Sequence, residues 1–463
     1  MSSTLVLPTY LASELKTFAG LPVETGAVVL ATVVKGSRGS LRLLAHTMVP
    51  VPERAYSRRD RDGLEITSEG FVPPLALAEE RGSMAIWVHT HPGSGSSVGP
   101  SPHDDVVDAK LGEPFRIRTG NEFYGALIVS LDDSGQQLKF SGHVDDASGH
   151  ARELDRILVS GSRISVIGAK DQDKIGIPPA FDRNVRAFGG AVQRSLNSLH
   201  IAVVGCGGTG SSVAEQLVRL GVRRFTLVDP EAVTETNLTR LYGSRASDVG
   251  FPKVEVVARH LKEVAPDAHV RAIQGMVTRE SVAQQLVDVD VAFGCTDDNA
   301  GRLVLSRLST YLMVPVIDCG VLLSSAPDGS LAGIDGRVTL MYPGAACMVC
   351  RGRIDLQRAA AEALSPDERA RRVDEGYAPV LGRNEPAVVT YTTAVAAAAV
   401  SELLNSLIGY APEPSSTEVL LRLHDREIST NIASPKPGHY CDPEADKIGR
   451  GATVPFLDQT WPT

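Results

Sequence analysis

Cysteine is scarce in this sequence, and strongly basic or long apolar segments are missing. The 463 residues include only six cysteines, none among the first 205, which is too few for a disulfide framework. Asp and Glu outnumber Lys and Arg by 55 to 46, for a net charge of −9, so we expect neither nucleic acid nor an anionic membrane as a partner. The chain shows neither a secretory signal pattern nor an uninterrupted apolar run of about 18 residues. These absences predict a cytoplasmic protein in a reducing compartment.

The pattern along the chain changes near residue 170. Before that point, strand-like runs such as GAVVLATVV and MAIWVHTHP dominate, which predicts an α+β domain built around a sheet. From about His200, short apolar strands alternate with helical segments, which is typical of a doubly wound, parallel α/β sheet. We predict an N-terminal domain at 1–165, a linker at 166–182, a second domain at 183–433 and a C-terminal tail at 434–463.

The segment WVHTHPGSGSSVGPSPHDD carries the first group of candidate site residues. His89 and His91 stand two apart at the end of a predicted strand, so both imidazoles can reach one ion. Asp104 follows where a helix is expected to start. Two histidines and one carboxylate, with a fourth position open to water, are a ligand set of catalytic zinc. The alternative is that both histidines are unrelated surface residues of a Gly/Ser loop.

This segment resembles the JAMM motif of the JAB/MPN metalloproteases, over about residues 10–150. The matching positions are His89, His91, Pro92, Ser101 and Asp104, with Glu24 upstream. The resemblance implies an α+β JAB/MPN fold, a catalytic Zn²⁺, Glu24 as general base and Ser101 as a stabiliser of the oxyanion. It also implies deubiquitinase-like cleavage of peptide or isopeptide bonds at the C-terminus of ubiquitin-like proteins. Because the loop before Ser101 is longer than the usual pattern, Asp105 is a second candidate for the carboxylate ligand.

A second group of residues predicts a nucleotide site. The segment IAVVGCGGTGSSVAEQLVRLG reads as strand, glycine turn and helix, and the next strand ends at Asp229. Glycines at such a turn let the backbone approach a phosphate, and the acid can accept hydrogen bonds from ribose hydroxyls. The glycines of the turn are Gly205, Gly207, Gly208 and Gly210. These features suit NAD or FAD equally well, so an NAD-binding oxidoreductase is an alternative.

Polar and charged residues after the turn favour a triphosphate. Asn237, Arg240 and Lys253 follow the second strand. Cations stabilise the charge that builds on pyrophosphate as it leaves, which a bound dinucleotide does not require. Asp297 and Asp298 stand at the carboxyl end of a later strand, where a carboxylate can hold Mg²⁺. The set therefore indicates ATP and Mg²⁺ as cofactors.

This ordered set resembles the ThiF/MoeB class of ubiquitin-like activating (E1-like) enzymes, over about residues 178–425. The resemblance implies a Rossmann-like fold and adenylation of the C-terminal carboxylate of a protein. The residues that it assigns to ATP and Mg²⁺ are Gly205, Gly207, Gly208, Gly210, Asp229, Glu231, Asn237, Arg240, Lys253 and Asp297. It also implies that Arg183, or otherwise Arg186, reaches the ATP of a partner subunit, which predicts a homodimer.

The later cysteines indicate a second metal site. Cys347 and Cys350 form a Cys-x-x-Cys pair, half of a tetrahedral zinc site, which Cys441 and His439 could complete. The alternative is that one cysteine of the pair forms a thioester. No cysteine lies within 351–440, where many members of this class carry a thioester cysteine. We therefore expect the acyl-adenylate to pass directly to a thiolate of another protein.

Together these patterns predict a bifunctional enzyme of a bacterial-type ubiquitin-like modification pathway. One domain would activate the modifier with ATP, and the other would use Zn²⁺ to cleave its precursor or conjugates. The expected partners are the ubiquitin-like protein, a conjugating (E2-like) enzyme or other thiolate acceptor, and a second copy of this chain. One alternative is activation of a sulfur-carrier protein for thiocarboxylate formation. Another is that the N-terminal domain only binds the modifier and has no catalytic role.

Overall fold

The computed structural model describes residues 2–93, 98–168, 176–328, 330–364, 366–374 and 387–461. These residues form two compact units. The first unit is built mainly from residues 2–160 and the second mainly from residues 176–448. Short segments of 161–168 and 449–461 complete one unit or the other. The predicted linker contains the end of a strand, Ser165–Gly168, while its residues 169–175 lie outside the described part of the chain.

The first unit combines strands with three helices. In chain order its elements are β1 (Ser3–Pro8), α1 (Thr9–Ala19), β2 (Gly26–Lys35), β3 (Leu41–Pro50), β4 (Tyr56–Arg59), β5 (Leu64–Ile66), α2 (Val72–Glu80), β6 (Met84–Thr90), α3 (Pro102–Thr119), β7 (Tyr124–Leu131), β8 (Leu138–Asp145), β9 (Ala151–Glu153), β10 (Arg156–Ser160) and β11 (Ser165–Gly168).

One mixed sheet organises this unit. Its strand order is β11-β10-β1-β3-β2-β6-β7-β8-β9, and β4 and β5 form a separate small sheet. The central strands β2 and β6 pair antiparallel, with Gly26 opposite His89, while β6 and β7 run parallel. Every residue of β6 is buried. The strand that carries His89 is therefore fixed on both edges by neighbouring strands.

Apolar side chains cover both faces of the sheet. On one face, Leu15 of α1 packs with strand residues such as Val29 and Ile86. On the other face, Phe115 of α3 packs with Val28 and other side chains from β2, β6 and β7. This alternation is what a strand buried on both faces requires, because successive side chains point to opposite sides. The unit is thus a three-layer α/β/α arrangement.

The second unit contains a larger number of helices. In chain order its elements are α4 (Asp182–Ser198), β12 (His200–Val204), α5 (Gly208–Arg219), β13 (Arg224–Asp229), α6 (Lys253–Val264), β14 (His269–Gln274), α7 (Glu280–Ala283), β15 (Val291–Gly294), α8 (Asn299–Tyr311), β16 (Val316–Ser325), β17 (Leu331–Met341), α9 (Leu356–Glu362), α10 (Pro366–Asp374), α11 (Val389–Ile408), β18 (Glu418–Arg422) and β19 (Glu427–Asn431).

The sheet of this unit has two halves. Its order is β14-β13-β12-β15-β16-β17-β18-β19. Strands β12 to β16 pair in parallel, which confirms the predicted doubly wound sheet for that half. Strands β16 to β19 pair antiparallel, a continuation that the sequence analysis did not predict. Because β12 lies between β13 and β15, the chain changes direction there, and open α/β sheets bind ligands at such a crevice.

Helix α11 has the length and apolar composition of a membrane span. In the structure it packs against α5 and against strands β16 and β17 of the same unit. Its buried side chains include Val395, Ala399 and Leu403. It is therefore placed as a core helix of the second unit.

The C-terminal tail is held at more than one point. The hydroxyl of Tyr311 on α8 donates to Asp458 at 2.9 Å. Arg307 on the same helix donates to the carbonyl oxygens of Leu457 and Asp458, each at 2.9 Å. The tail therefore does not depend on Cys441 alone for its attachment to the second unit.

Candidate functional sites

The end of strand β6 and the start of helix α3 bring three candidate metal ligands together. The Nε2 atoms of His89 and His91 lie 3.2 Å apart. Each also lies 3.3 Å from a carboxylate oxygen of Asp104. Ligand atoms around a tetrahedral zinc ion with bonds of about 2.0–2.1 Å are about 3.3–3.4 Å apart. The two imidazole nitrogens match this spacing, and all three side chains offer ligand atoms within 4.8 Å of one another, so they can hold one zinc ion and leave a position for water.

A helix cap fixes the carboxylate of this cluster. Ser101 is the N-cap of α3, and its hydroxyl accepts a hydrogen bond from the Asp104 N–H at 3.2 Å. In return the Asp104 carboxylate accepts one from the Ser101 N–H at 2.7 Å. Burial alone would raise the pKa of Asp104, but hydrogen bonds from His89 and Ser101 hold it well below its usual range. Asp105 is exposed and does not belong to the cluster, so Asp104 is the better candidate of the two.

Glu24 stands beside the same cluster. It lies just before β2, whose first residue pairs with His89 across the strands. Its Oε1 atom lies 3.8 Å from Nε2 of His91. Burial raises the pKa of Glu24 to about 7, which is close to the value that suits a general base at neutral pH. The side chain has the position and the proton affinity that its predicted role requires.

A second cluster combines three cysteines with one histidine. The Nδ1 atom of His439 lies 3.5 Å from Sγ of Cys347 and 3.4 Å from Sγ of Cys441. The Sγ atoms of Cys350 and Cys441 are 3.6 Å apart. With Zn–S bonds of about 2.3 Å and a Zn–N bond of about 2.0–2.1 Å, the expected separations are about 3.5–3.8 Å. The four side chains therefore fit a closed tetrahedral zinc site.

The burial of this second cluster bears on the thioester alternative. Cys347 and Cys441 are both 1% exposed. A hydrogen bond from Cys441 lowers the pKa of Cys347, so one thiolate is favoured in the cluster even without a metal. A thiolate without access to an incoming acyl group can bind metal but cannot form a thioester. The geometry favours a structural metal site.

Two glycines shape the turn between β12 and α5. Gly205 has a φ of +93°, and a Cβ there would lie 2.5 Å from the carbonyl oxygen of Cys295. A Cβ at Gly210 would lie only 1.8 Å from the carbonyl oxygen of Gly205. A side chain at Gly205 would push the turn away from the end of β15. A side chain at Gly210 would push helix α5 away from the turn. The N-terminus of α5, which favours anions, therefore opens at the carboxyl edge of the sheet.

The structure distinguishes the two acids that follow β13. Asp229 is buried, and its carboxylate accepts hydrogen bonds from the N–H groups of Cys206 and Glu231, at 2.7 and 2.8 Å. The Glu231 side chain is 57% exposed and forms an ion pair with Lys253. Asp229 therefore holds the turn in shape, and Glu231 has the better access to ribose hydroxyls. The predicted role of Asp229 as the main ribose acid stays a prediction.

The predicted phosphate contacts lie close to the glycine turn but differ in what they touch. The Oδ1 atom of Asn237 accepts a hydrogen bond from the Thr234 N–H at 3.1 Å, so this side chain stabilises its own turn. Arg240 crosses the glycine turn, since a Cβ at Gly208 would lie 3.1 Å from its Cδ. Lys253, at the start of α6, is 7% exposed and is held by its acidic partner.

Of the remaining predicted residues, Asp297, Arg183 and Arg186 are exposed, whereas Asp298 is half-buried. Asp298 caps α8 by accepting a hydrogen bond from the Gly301 N–H, while the neighbouring Asp297 is exposed at the strand end. Asp297 is therefore the acid of this pair that can approach a magnesium ion. Arg183 is exposed in the first turn of α4, and Arg186 forms an ion pair with Asp182 at 2.9 Å. The contact of Arg183 with the nucleotide of a partner subunit stays a prediction.

The family of the second unit follows from comparison with known proteins. A family model described as ThiF family matches residues 181–441, more than half of the chain. This chain belongs to the ThiF family. The match includes the glycine turn, the acids and cations around it, and the cysteine and histidine cluster. The residues before 181, with the histidine and aspartate cluster, lie outside it.

Individual relatives each match part of this chain. The tRNA threonylcarbamoyladenosine dehydratase of Escherichia coli (strain K12) is 35% identical over 141 residues, 30% of this chain and 53% of that protein. The SAMP-activating enzyme E1 of Haloferax volcanii is 27% identical over 158 residues, 34% of this chain and 55% of that protein. A crystal structure of E. coli MccB with ATP is 17% identical and covers 56% of this chain and 73% of that one, with a TM-score of 0.44. The chain thus spans about half the length of the curated relatives that it matches.

Sequence reasoning missed one carboxylate in the ThiF region. Glu362 of α9 is buried and accepts hydrogen bonds from the N–H groups of Asn299 at 2.6 Å and Ala300 at 3.0 Å. It therefore neutralises the N-terminus of α8, two residues after Asp297, and fastens α9 there. Glu362 and Asn299 are 63 positions apart. No local motif marks such a contact, so only the folded structure reveals it.

Proposed function

We propose that this chain activates the C-terminal carboxylate of a ubiquitin-like protein with ATP and also hydrolyses bonds at that same terminus with zinc. Membership of the ThiF family supports the first activity. The observation that carries the second is the cluster of His89, His91 and Asp104, in which the two Nε2 atoms lie 3.2 Å apart and each lies 3.3 Å from a different oxygen of the Asp104 carboxylate. Both activities act on one chemical group, the terminal carboxyl of the modifier.

In the adenylation step, a carboxylate oxygen of the substrate attacks the α-phosphorus of ATP, and the bond to pyrophosphate breaks. Negative charge builds on the leaving group, and Arg240 and Lys253 are the cations near the glycine turn that can stabilise it. Lys253 would exchange its ion pair with Glu231 for contacts to phosphate. Asp297 is the exposed acid that would hold Mg²⁺, and the ion would offset negative charge on the phosphates.

In the hydrolytic step, a water molecule attacks the carbonyl carbon of the terminal glycine, and the C–N bond from that carbon to the leaving amine breaks. Zinc, when bound to His89, His91 and Asp104, lowers the pKa of such a water. Glu24 accepts the proton of the attacking water and returns it to the amine that leaves. Burial raises the pKa of Glu24, which favours a carboxylate that can both accept and return a proton. The Ser101 hydroxyl would donate a hydrogen bond to the oxyanion that forms after the water attacks and before the C–N bond breaks.

The product of hydrolysis is the substrate of adenylation, which is why the two activities fit one chain. Cleavage exposes a free carboxylate, and only a free carboxylate can attack ATP. The acyl-adenylate would then pass to a thiolate of another protein, such as an E2-like enzyme. This is supported by the grouping of all three cysteines with His439 in one four-ligand cluster, in which Cys347 and Cys441 are buried and Cys350 is partly exposed. A homodimer would bring Arg183 to the partner's nucleotide.

Two alternatives concern the acceptor and the cofactor. A sulfur-carrier protein has the same terminal carboxylate, and the acyl-adenylate would then receive sulfur. Family membership favours ATP over NAD in the second unit. One relative is named for a dehydratase of threonylcarbamoyladenosine in tRNA, so a carboxylate on a modified nucleoside is also a candidate. The net charge of −9 disfavours it, because tRNA recognition through bulk charge needs a basic surface.

Pyrophosphate exchange into ATP tests the adenylation. The full chain is incubated with ATP, labelled pyrophosphate and a panel of ubiquitin-like proteins that end in Gly-Gly. We expect exchange with at least one of them, and a reduction of about 10²–10³-fold for Asp297→Ala or Lys253→Ala. Exchange that requires tRNA would contradict the proposal. Exchange at the wild-type rate in both Asp297→Ala and Lys253→Ala would contradict it as well. A Glu24→Ala variant serves as the control, because it leaves the second unit unchanged.

A further inference from the structure

A group of polar side chains supports helix α3 close to the histidine and aspartate cluster. Asp108 accepts a hydrogen bond from the Tyr124 hydroxyl at 2.6 Å through Oδ1. Its Oδ2 atom lies 3.0 Å from Nε2 of His143. The same imidazole nitrogen lies 3.5 Å from Asp145. We call Asp108, Tyr124 and His143 the Asp108 network. None of its members has a role in the chemistry proposed above.

Tyr124 is the rigid part of this network. Its side chain is fully buried, and its ring meets that of Phe115 edge-on, with centroids 5.3 Å apart. A Cβ at Gly112 would lie 3.3 Å from the same ring, so α3 rests directly on it. The hydroxyl of Tyr124 therefore has a fixed position, and its hydrogen bond restrains the group that accepts it. The acceptor is the carboxylate of Asp108.

Asp108 lies one helical turn after Asp104, so the two side chains project from the same face of α3. Its two oxygens reach two different strands, β7 through Tyr124 and β8 through His143. Burial alone would raise the pKa of Asp108, but hydrogen bonds from His143 and Tyr124 lower it below its usual range. The group is therefore an ionised carboxylate with both oxygens engaged. Two attachment points restrain the helix against rotation as well as against sliding.

This restraint bears on the metal ligands because of the strand order. Strand β7 is the parallel neighbour of β6, with Ile128 in register with His89. The Asp108 network thus links the helix that carries Asp104 to the strand beside the one that carries His89. Metal affinity depends on ligand atoms that are already at their bonding positions, and loss of an outer partner typically costs about 10–100-fold in affinity.

We propose that Asp108 is a positioning residue, which holds α3 so that Asp104 stays at ligand distance from His89 and His91. This inference rests on the zinc hydrolase part of the proposed function. A purely structural role would lower the melting temperature of the first unit without a change in zinc affinity. A positioning role changes the zinc affinity of a protein that is still folded.

Zinc affinity of the full-length chain, measured for each cluster separately, tests the proposal. Metal-free protein is titrated with zinc in competition with a chromogenic chelator, before and after a mercurial reagent blocks the thiols. The blocked protein retains only the histidine and aspartate cluster. The variants are Asp108→Asn, Tyr124→Phe and, as a control on the exposed side of α3, Glu113→Gln. Melting temperatures of the metal-free proteins show which variants remain folded.

We expect Asp108→Asn to weaken zinc binding at the histidine and aspartate cluster by about 10–100-fold. Tyr124→Phe should act in the same direction but less, since it removes one hydrogen bond and keeps the ring. Glu113→Gln should leave the affinity unchanged, and no variant should affect the cysteine and histidine cluster.

Equal zinc affinity in wild type, Asp108→Asn and Tyr124→Phe would overturn this inference alone. If Asp108→Asn does not fold, Tyr124→Phe decides, because its ring still fills the space under α3. A wild-type chain that binds zinc only through its cysteines would overturn both this inference and the proposed hydrolase.

Discussion

The two candidate metal clusters of this chain differ in how many ligands they offer and where those ligands come from. The first has three, two histidines and one aspartate, within 16 residues from His89 to Asp104. The second has four, three cysteines and one histidine, and joins Cys347 to the tail some 90 positions later. Three ligands leave a corner for water, whereas four thiolate and imidazole ligands close the site. The ligand count of the first cluster is typical of a catalytic site and that of the second is typical of a structural one.

The largest effect that this comparison predicts is on hydrolysis. Glu24→Gln keeps the shape of the side chain but removes the proton acceptor beside the three-ligand cluster. We expect the turnover of a ubiquitin-like precursor to fall about 10²–10⁴-fold, with both zinc ions still bound. Zinc content is measured by atomic absorption alongside the cleavage rate. A fall in activity with an equal loss of zinc would instead indicate that Glu24 is a zinc ligand. The first cluster would then have four ligands, like the second.

The next effect concerns the four-ligand cluster. Cys441→Ser removes a ligand whose loss releases the zinc and frees the tail from the Cys-x-x-Cys pair. If the cluster contributes about 3 kcal/mol to stability, the melting temperature of the second unit should fall by about 6–12 °C. Cleavage by the first unit should continue at the wild-type rate per zinc-loaded molecule. A Cys441→Ser protein that keeps the wild-type zinc content and melting temperature would contradict the four-ligand site.

A smaller effect is expected from pH. Glu24 must be ionised to accept a proton, and burial raises its pKa to about 7 in the metal-free chain. The positive charge of bound zinc lowers it, so kcat/KM for hydrolysis should rise with pH and level off at or below about pH 7. A pH profile of the zinc-loaded enzyme checks this. The Glu24→Gln variant should not show this rise of kcat/KM with pH. If the rise persists in the variant, it reports the titration of another group.

The smallest effect should follow from Asp105→Asn. This residue is the neighbour of a ligand and has the same chemistry, but it is exposed and outside the cluster. We expect zinc affinity and cleavage to stay within about twofold of wild type, while Asp104→Asn weakens zinc binding by more than about tenfold. The pair is a matched control. Equal effects at both positions would mean that the helix can turn to present either carboxylate.

Much of the candidate chemistry could be predicted from local patterns. The spacing of His89 and His91 predicted that they share one side of a strand, and their Nε2 atoms do lie 3.2 Å apart. The glycine turn between β12 and α5 also lies where the sequence predicted it, while its binding of phosphate stays a prediction. The choice between Asp104 and Asp105 could not be predicted in this way, because it depends on which carboxylate closes the cap with Ser101. Local spacing cannot show which of two adjacent acids faces inward.

Contacts between distant segments were harder to predict, although the grouping of Cys347 and Cys350 with His439 and Cys441 was expected from the residue types. Glu24 reaches the cluster because β2 and β6 pair in one register, which places Gly26 opposite His89. Asp229 is buried because its carboxylate accepts hydrogen bonds from two backbone N–H groups, while the Glu231 side chain stays accessible. Only the folded turn brings those N–H groups together, so the sequence could not show which acid is accessible. The antiparallel strands after β16 also escaped prediction, since their alternation is no different from that of other half-buried strands. Resemblance to a family supplied Glu24 where periodicity could not.

One measurement tests the central claim that both sites act in turn on one terminus. Pyrophosphate exchange is followed with a ubiquitin-like protein in two forms, one ending in Gly-Gly and one extended beyond it. The account predicts that the wild-type chain exchanges with both forms, and that Glu24→Gln exchanges only with the form that already ends in Gly-Gly. The account would be contradicted if Glu24→Gln supported exchange with the extended form at the wild-type rate. It would also be contradicted if neither the wild type nor the variant supported exchange with that form.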